Sequence, residues 1–210
     1  MTIETPFAAP QVLAEHYSWL EYTTRGRWSS YWHQIRLVLE RGAETCLVVG
    51  NGDGIVPSLL ERAGVRTTTV DIDPRLDPDT IADVRSLPFP DRGFDCVLAA
   101  QILEHVRFET LDGALSEMRR VTRSSVIASV PQRGRAWELA VKLPFLRAFK
   151  AGGVLPARTR HRFDGQHYWE LGARDFRRSR LEAALRRHFT IAETFVVPDH
   201  PYHRFYVLSR

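Results

Sequence analysis

Apolar residues recur along this chain in short unbroken runs separated by helical stripes. The run Thr45 to Val49 reads as a buried strand and Ile55 to Arg62 as the helix behind it. The next apolar run ends at Asp71, another begins at Phe94 and closes before Gln101, and Ser125 to Val130 reads as a fifth strand. Between the last two, Phe108 to Val121 sets Leu111, Ala114, Leu115, Met118 and Val121 on one stripe, with Glu109, Glu117, Arg119 and Arg120 outside it. After a final helix near Arg174 to Arg187, strands at Thr190 to Val197 and His203 to Leu208 flank the turn Pro198-Asp199-His200-Pro201. Alternating strand and helix predict an α/β fold with a parallel sheet and right-handed crossovers, its ligands bound beyond the carboxyl ends of the strands.

The junction of the first strand and helix carries the chemistry. Gly50-Asn51-Gly52-Asp53-Gly54 places three alternating glycines before a helix N-terminus, where backbone can approach a ligand closely. Asp71 lies twenty-one residues after Gly50, the separation at which a second parallel strand offers a carboxylate to ribose hydroxyls. A dinucleotide fingerprint needs its third glycine where this chain has Ile55, and a phosphate loop needs a Gly-Lys-Ser/Thr ending that is absent. Asp53 would also repel a pyrophosphate at short range. S-adenosylmethionine (SAM), with a carboxylate, an ammonium and a sulfonium but no phosphate, suits such a loop.

Four motifs agree in order and spacing with one family. They are the glycine loop, Val70-Asp71-Ile72-Asp73-Pro74, Ile81 to Phe89 around Asp83-Val84, and Phe94 to His105 ending Gln101-Ile102-Leu103-Glu104-His105. Over residues of about 44 to 131 the chain resembles the core of a class I SAM-dependent methyltransferase of the small-molecule group. The resemblance implies a Rossmann-like, doubly wound seven-stranded sheet, mostly parallel with an antiparallel C-terminal strand. It implies that Gly50, Asn51, Gly52, Asp53, Gly54, Asp71 and Ile72 bind the cofactor. Asp83 would receive the adenine amine, Val84 would pack on the ring, and Gln101 would lie near the methionine part. The product would be S-adenosylhomocysteine. One departure stands out: the family commonly has an acid two positions before the first glycine, where this chain has Val48. Asn51 or Asp53 is the candidate replacement for anchoring the ammonium.

Each motif also has a plainer reading. Glycine-rich turns serve packing in many α/β proteins, Asp71 and Asp73 can be solvated turn acids before Pro74, Asp83 can cap a turn, and Glu104-His105 can open a helix. Their joint order favours the methyltransferase. Two rival functions remain, a catalytically silent SAM-binding module, raised by Val48, and a nicotinamide-dependent oxidoreductase, disfavoured by Ile55.

With 210 residues and 44% hydrophobic content, the chain suits one domain with additions. We divide it into a helical cap (1–43), a SAM-binding core (44–131), a substrate or lid insertion (132–173) and a C-terminal helix and hairpin (174–210). The start of the chain lacks a basic-then-apolar signal pattern and no apolar run approaches a membrane span, so a cytoplasmic location is expected. Cys46 and Cys96 fall inside predicted strands, where cysteine acts as a small buried hydrophobe.

In the cap, helical patterns at Gln11 to Tyr22 and Trp28 to Glu40 flank a break at Thr23 to Gly26. Their aromatics Tyr17, Trp19, Tyr22, Trp28, Tyr31 and Trp32 suit core packing first and a pocket wall second. The insertion is too long for an ordinary connection and leaves the strand-five end beside the cofactor. It is apolar from Trp137 to Phe149, with Pro144 ending or kinking any helix. Between Arg133 and Arg162 stand eight Lys or Arg and one acid, Glu138, although the whole chain carries only +4. This local field suggests an anionic or sugar-containing acceptor held by Arg158, Arg160, Arg162 and Trp169, methylated on oxygen or nitrogen. Peripheral membrane contact through 137–150 is the competing use of the same segment. For a base, His167 is favoured and His105 second, with His161, His200 and His203 behind them. Segments around His167-Tyr168-Trp169-Glu170 and Pro201-Tyr202-His203-Arg204-Phe205 loosely resemble methyltransferases of bacterial surface-polysaccharide functions. No metal-ligand spacing and no nucleic-acid signature is present, so neither partner is expected.

Overall fold

The structure, a computed structural model, describes residues 11–12, 14–17, 19–145, 149–157 and 159–210. Strands β1 (Thr45–Val49), β2 (Arg66–Asp71), β3 (Thr80–Ile81), β4 (Phe94–Ala100), β5 (Thr122–Pro131), β8 (Thr190–Val197) and β9 (His200–Ser209) form one seven-stranded sheet. Its order is β3-β2-β1-β4-β5-β9-β8, with β9 antiparallel to both neighbours and the remaining pairings parallel. This is the mostly parallel sheet with one antiparallel C-terminal strand that the sequence predicts.

Strict alternation of side chains splits the buried residues into two layers. Leu47, Val49, Val97, Ala99, Val126 and Ala128 face helices α4 (Leu111–Val121) and α5 (Arg178–Arg186), whose stripes from Leu111 to Val121 and from Leu181 to Leu185 complete that core. Cys46, Val48, Cys96, Leu98 and Ile127 face the other way, onto α2 (Arg25–Glu40) and α3 (Ile55–Arg62). Cys46 and Cys96 are register partners, free and buried, in line with a packing role.

The sheet runs outward from β1 in both directions, to β2 on one side and β4 on the other. Loops leaving the carboxyl ends of these strands therefore diverge and leave a crevice between them. That crevice lies over Gly50, Asp71 and Gln101, the residues that follow or end β1, β2 and β4.

Two local expectations in the cap are corrected. In place of a helix over Gln11 to Tyr22 there is a 3-10 turn, Ala14–Tyr17, and a four-residue α1, Trp19–Tyr22. Helix α2 starts at Arg25 rather than Trp28, because Thr24 caps it, its Oγ1 accepting from the Arg27 amide at 3.3 Å. Gly26 is thus inside the helix, and it is glycine for a packing reason: a Cβ there would lie 2.8 Å from His200 Nδ1 and 2.9 Å from the Asp199 carbonyl oxygen.

The insertion contains no helix among its described residues. It opens as a separate two-stranded hairpin, β6 (Gly134–Val141) with β7 (Phe149–Pro156). Its second half is stitched to the core: Leu171 donates to the Pro131 carbonyl at 3.0 Å, Arg133 to Leu171 at 2.7 Å and Tyr168 to Glu104 at 2.9 Å. Trp169, Leu171 and Ala173 are buried there.

Candidate active site

Two adjoining cavities fill the crevice. The larger, of about 240 Å³, is walled by Asp71, Ile72, Asp83, Val84 and Gln101, and on its outer side by Tyr17, His105, Arg107 and Tyr168. The smaller, of about 60 Å³, is walled by Asn51, Gly52, Asp53, Tyr22, Arg27, Tyr31 and His203. Val49, Gly50 and Gln101 belong to both.

The backbone that shapes the crevice is tightly constrained. Gly50 has φ +89°, and a Cβ on it would fall 2.2 Å from Ile102 Cδ1. Gly52 is also left-handed, but its Cβ would meet only Tyr17 at 3.6 Å, and around Gly54, the residue preceding α3, there is open space. Gly54 lines neither cavity described above, so among the three predicted glycines it only turns the chain. Gln101 adopts φ +57°, a conformation that costs a side-chain-bearing residue and is held by its amide on the Ser129 carbonyl, 2.9 Å, and by Nε2 on Ser129 Oγ, 3.1 Å.

Asp71 ends β2 with its carboxylate aimed by backbone: the Asn51 amide donates to Oδ2 at 2.8 Å and the Asp73 amide to Oδ1 at 2.9 Å. Each oxygen keeps a lone pair for a ligand. Burial pushes its pKa up, and the amide bonds pull against that rise. Asp83 is gripped by Arg85, whose Nη2 lies 2.5 Å from Oδ2 and Nε 2.9 Å from Oδ1. Burial opposes its ionisation, but Arg85 outweighs it and the pKa falls. The Asn51 side chain is spent elsewhere, its Nδ2 donating to the Leu76 carbonyl at 2.6 Å. Asp53 is therefore the acid of the smaller cavity, accepting from the Tyr31 hydroxyl and, at 3.2 Å, from the Ile55 amide. Val48 is a buried strand residue among Val56, Leu98 and Val207. Arg27, on the wall of the same cavity, donates to the Tyr22 carbonyl at 3.1 Å and hydroxyl at 2.8 Å.

The outer wall carries the histidines. His105 Nδ1 is 3.0 Å from the Gln166 carbonyl and 3.0 Å from Gln11 Oε1. A carbonyl only accepts, so Nδ1 carries the hydrogen and Nε2 holds the lone pair. Burial, with the charge of His167 next, lowers its pKa to about 4. His167 lies behind it, ring centroids 5.1 Å apart, with Nδ1 3.1 Å from Glu170 Oε1. Burial lowers the His167 pKa, but the Glu170 bond and the nearby carboxylates dominate and the net shift is upward. Glu170 also accepts from the Tyr202 hydroxyl. Glu104, between these groups, is fully buried with neither carboxylate oxygen hydrogen-bonded, and burial raises its pKa to about 8.

The predicted acceptor residues fare differently. Trp169 is not on the cavity wall: it is fully buried against Phe108 and Phe176, its indole donating to the Val106 carbonyl at 2.9 Å. Arg160 and Arg162 are exposed and line neither cavity, and Arg158 lies outside the described residues. Tyr168, Arg107, Arg85, Tyr17 and Arg27 take the wall positions instead. Tyr168 adjoins both residues chosen from its segment, and the irregular chain there is what brings it inward.

The family model described as a methyltransferase domain matches residues 47–129, which run from β1 to the end region of β5. This chain carries a class I SAM-dependent methyltransferase domain. A ubiquinone/menaquinone biosynthesis C-methyltransferase of Nitrosospira multiformis is 30% identical over 164 residues, covering 69% of this chain and 65% of that protein. The corresponding protein of Burkholderia cenocepacia is 37% identical over 79 residues, 38% of this chain, and the match spans 30% of that relative's length. Among solved structures, a 1,6-didemethyltoxoflavin-N1-methyltransferase of Burkholderia thailandensis, with bound 1,6-didemethyltoxoflavin and S-adenosylhomocysteine, has a TM-score of 0.60 at 19% identity, covering 99% of this chain and 93% of that one. A magnesium protoporphyrin IX methyltransferase of Synechocystis with bound SAM has a TM-score of 0.62 at 15% identity, covering 94% and 89%. The matched residues thus run through β1 to β5 of the seven-stranded sheet, and the hairpin, β8 and β9 lie outside them.

Proposed function

We propose that the chain binds SAM across the two cavities and catalyses methyl transfer to an oxygen or nitrogen of a small, anionic or sugar-containing acceptor, leaving S-adenosylhomocysteine. The observation that carries this reading is the charge layout of the crevice. Asp71 presents an amide-held carboxylate where ribose hydroxyls are expected, and the smaller cavity holds one carboxylate and one guanidinium, Asp53 and Arg27. That pairing suits a zwitterionic amino-acid group, Asp53 taking the ammonium in place of the acid that Val48 lacks, and Arg27 the carboxylate. Asp83 and Val84 serve the adenine end, and Gly50 offers side-chain-free backbone to both cavities.

Bound SAM supplies a methyl carbon already activated by its sulfonium. The chain contributes alignment, exclusion of water and a place for the acceptor's proton. Tyr17 and Tyr168 cover the larger cavity, and Arg107 stacks over the Tyr168 ring at 4.8 Å without an ion pair among the described residues. It is the cation we assign to an anionic acceptor. His105 stands on the wall and is neutral at pH 7, so the role of proton acceptor moves to it from His167, which holds the second rank with Glu170.

The test is calorimetric titration with SAM, followed by release of S-adenosylhomocysteine over phosphorylated, nucleotide-linked and neutral sugars. Micromolar SAM binding with turnover confined to the charged acceptors supports the reading. Binding with no turnover on any acceptor supports a silent module, and preference for NADH removes the methyltransferase reading.

A further inference from the structure

We infer that the β6–β7 hairpin is a docking element for an anionic membrane surface. The register pairs Arg135 with Leu155, Trp137 with Gly153 and Val141 with Phe149, and Leu139 alternates with Trp137 and Val141 along β6, so these residues share one face. That face is almost wholly apolar, and it is open: Trp137, Leu139, Phe149 and Leu155 are each half exposed or more. Trp137 lies across Gly153, whose added Cβ would fall 3.1 Å from the indole nitrogen. At the tip, Leu143 is 53% exposed and Phe145 fully so. Ala136 and Val154, on the opposite face, line a cleft with Pro201 and Tyr202 of β9, and one edge of Trp137 borders a second cleft with Pro198, Asp199 and Pro201. An apolar strand face of this size on a folded domain marks a contact site.

Charge selects the occupant. The segment from Arg133 to Arg162 carries eight Lys or Arg against one acid, and Arg133, Arg135, Lys142, Arg160 and Arg162 are exposed. Two copies meeting through this face would bring like-charged rims together. Apolar side chains within a cationic rim are what an anionic bilayer surface attracts, the rings entering the headgroup layer and the cations staying at the phosphates. No helix among the described residues is long and apolar enough to cross a membrane, so the contact is a surface one. Because β6 starts three residues after β5 ends, docking would hold the crevice near the lipid headgroups.

Co-sedimentation of the full chain with vesicles tests this. Phosphatidylcholine vesicles containing phosphatidylglycerol should bind at least about tenfold more tightly than phosphatidylcholine alone, and high salt should remove the difference. Trp137→Ser with Phe149→Ser should abolish sedimentation while thermal melting and SAM calorimetry stay as in the parent. Arg135→Glu with Lys142→Glu, which keeps every apolar side chain of the face, should do the same. Equal binding to both vesicle types, or no binding, overturns the proposal. So does a concentration-dependent dimer, seen by light scattering without lipid, that the Trp137→Ser, Phe149→Ser variant abolishes, since the face would then belong to a second copy. Failure of SAM binding would bear on the proposed activity and leave the vesicle result standing.

Discussion

The backbone amide of Asn51 donates to Oδ2 of Asp71 at 2.8 Å, tying the loop after β1 to the tip of β2 across twenty residues of chain. With the Asp73 amide on Oδ1, it fixes the carboxylate plane before any ligand arrives. Such preorganisation lowers the ordering cost of binding.

Asp71→Ala is therefore expected to weaken SAM binding tenfold to a hundredfold. Charge-assisted hydrogen bonds contribute roughly 1.5 to 3 kcal/mol each, and about 1.4 kcal/mol is one decade in affinity. Calorimetry on the folded variant decides it, and unchanged affinity would remove Asp71 from the site.

The glycines of the loop are expected to differ. Gly50→Ala forces alanine to φ +89° and must displace the Cδ1 end of Ile102, itself on the wall of the larger cavity, so SAM binding should fall steeply. Gly52→Ala meets only an ordinary contact with Tyr17 and bears the conformational strain alone. We expect a measurable but smaller loss there, while Gly52→Val, bulkier toward Tyr17, should approach Gly50→Ala. Equal tolerance at Gly50 and Gly52 would contradict the close approach of backbone to ligand.

These contrasts show where sequence was legible. The bounds of β1, α3 and β8, and the position of Asp71 at the end of β2, follow from local periodicity and spacing, since buried parallel strands are apolar runs and glycines mark their ends. The outer wall was not legible. Whether Tyr168 or Trp169 faces the crevice depends on a non-repetitive turn held by the Glu104 carbonyl and by the Trp169 indole on Val106, contacts more than sixty residues apart. The hairpin was hidden for the opposite reason: its apolar face is exposed, so its composition resembles core. Arg27 joins Asp53 on one cavity wall because Thr24 starts α2 three residues earlier than the apolar stripe implies.

Glu104 should leave a signature in stability against pH. Its folded pKa of about 8 stands above the ordinary 4.5, so the folded state binds the extra proton, and the stability this provides is lost as pH rises from 4.5 through 8. His167, also raised, acts in the same direction. His105, lowered to about 4 from 6.5, acts oppositely but only below 6.5. Urea unfolding should thus show stability falling between pH 6.5 and 8, by at most about 1.4 kcal/mol per pH unit for each proton. Glu104→Gln should flatten that slope, and parallel profiles for parent and variant would show that Glu104 does not titrate there.

The last prediction separates the two histidines. His105 stands on the cavity wall with its Nδ1 hydrogen committed to the Gln166 carbonyl and its ring neutral above about pH 4. If it takes the acceptor's proton, His105→Ala should lower kcat with little change in the KM for SAM, and the parent's rate should show no rising limb near pH 6.5, the ordinary histidine value. His167 acts through its ring contact with His105 and its bond to Glu170, so His167→Ala should lower kcat less and shift the pH profile, because the His105 ring loses a neighbouring positive charge and its pKa rises. His167→Gln, which removes that charge but keeps a hydrogen-bonding side chain, should shift the profile equally while recovering part of kcat. A larger loss at His167 than at His105, with a limb set by His167, would return the proton to His167 and make the wall histidine its support.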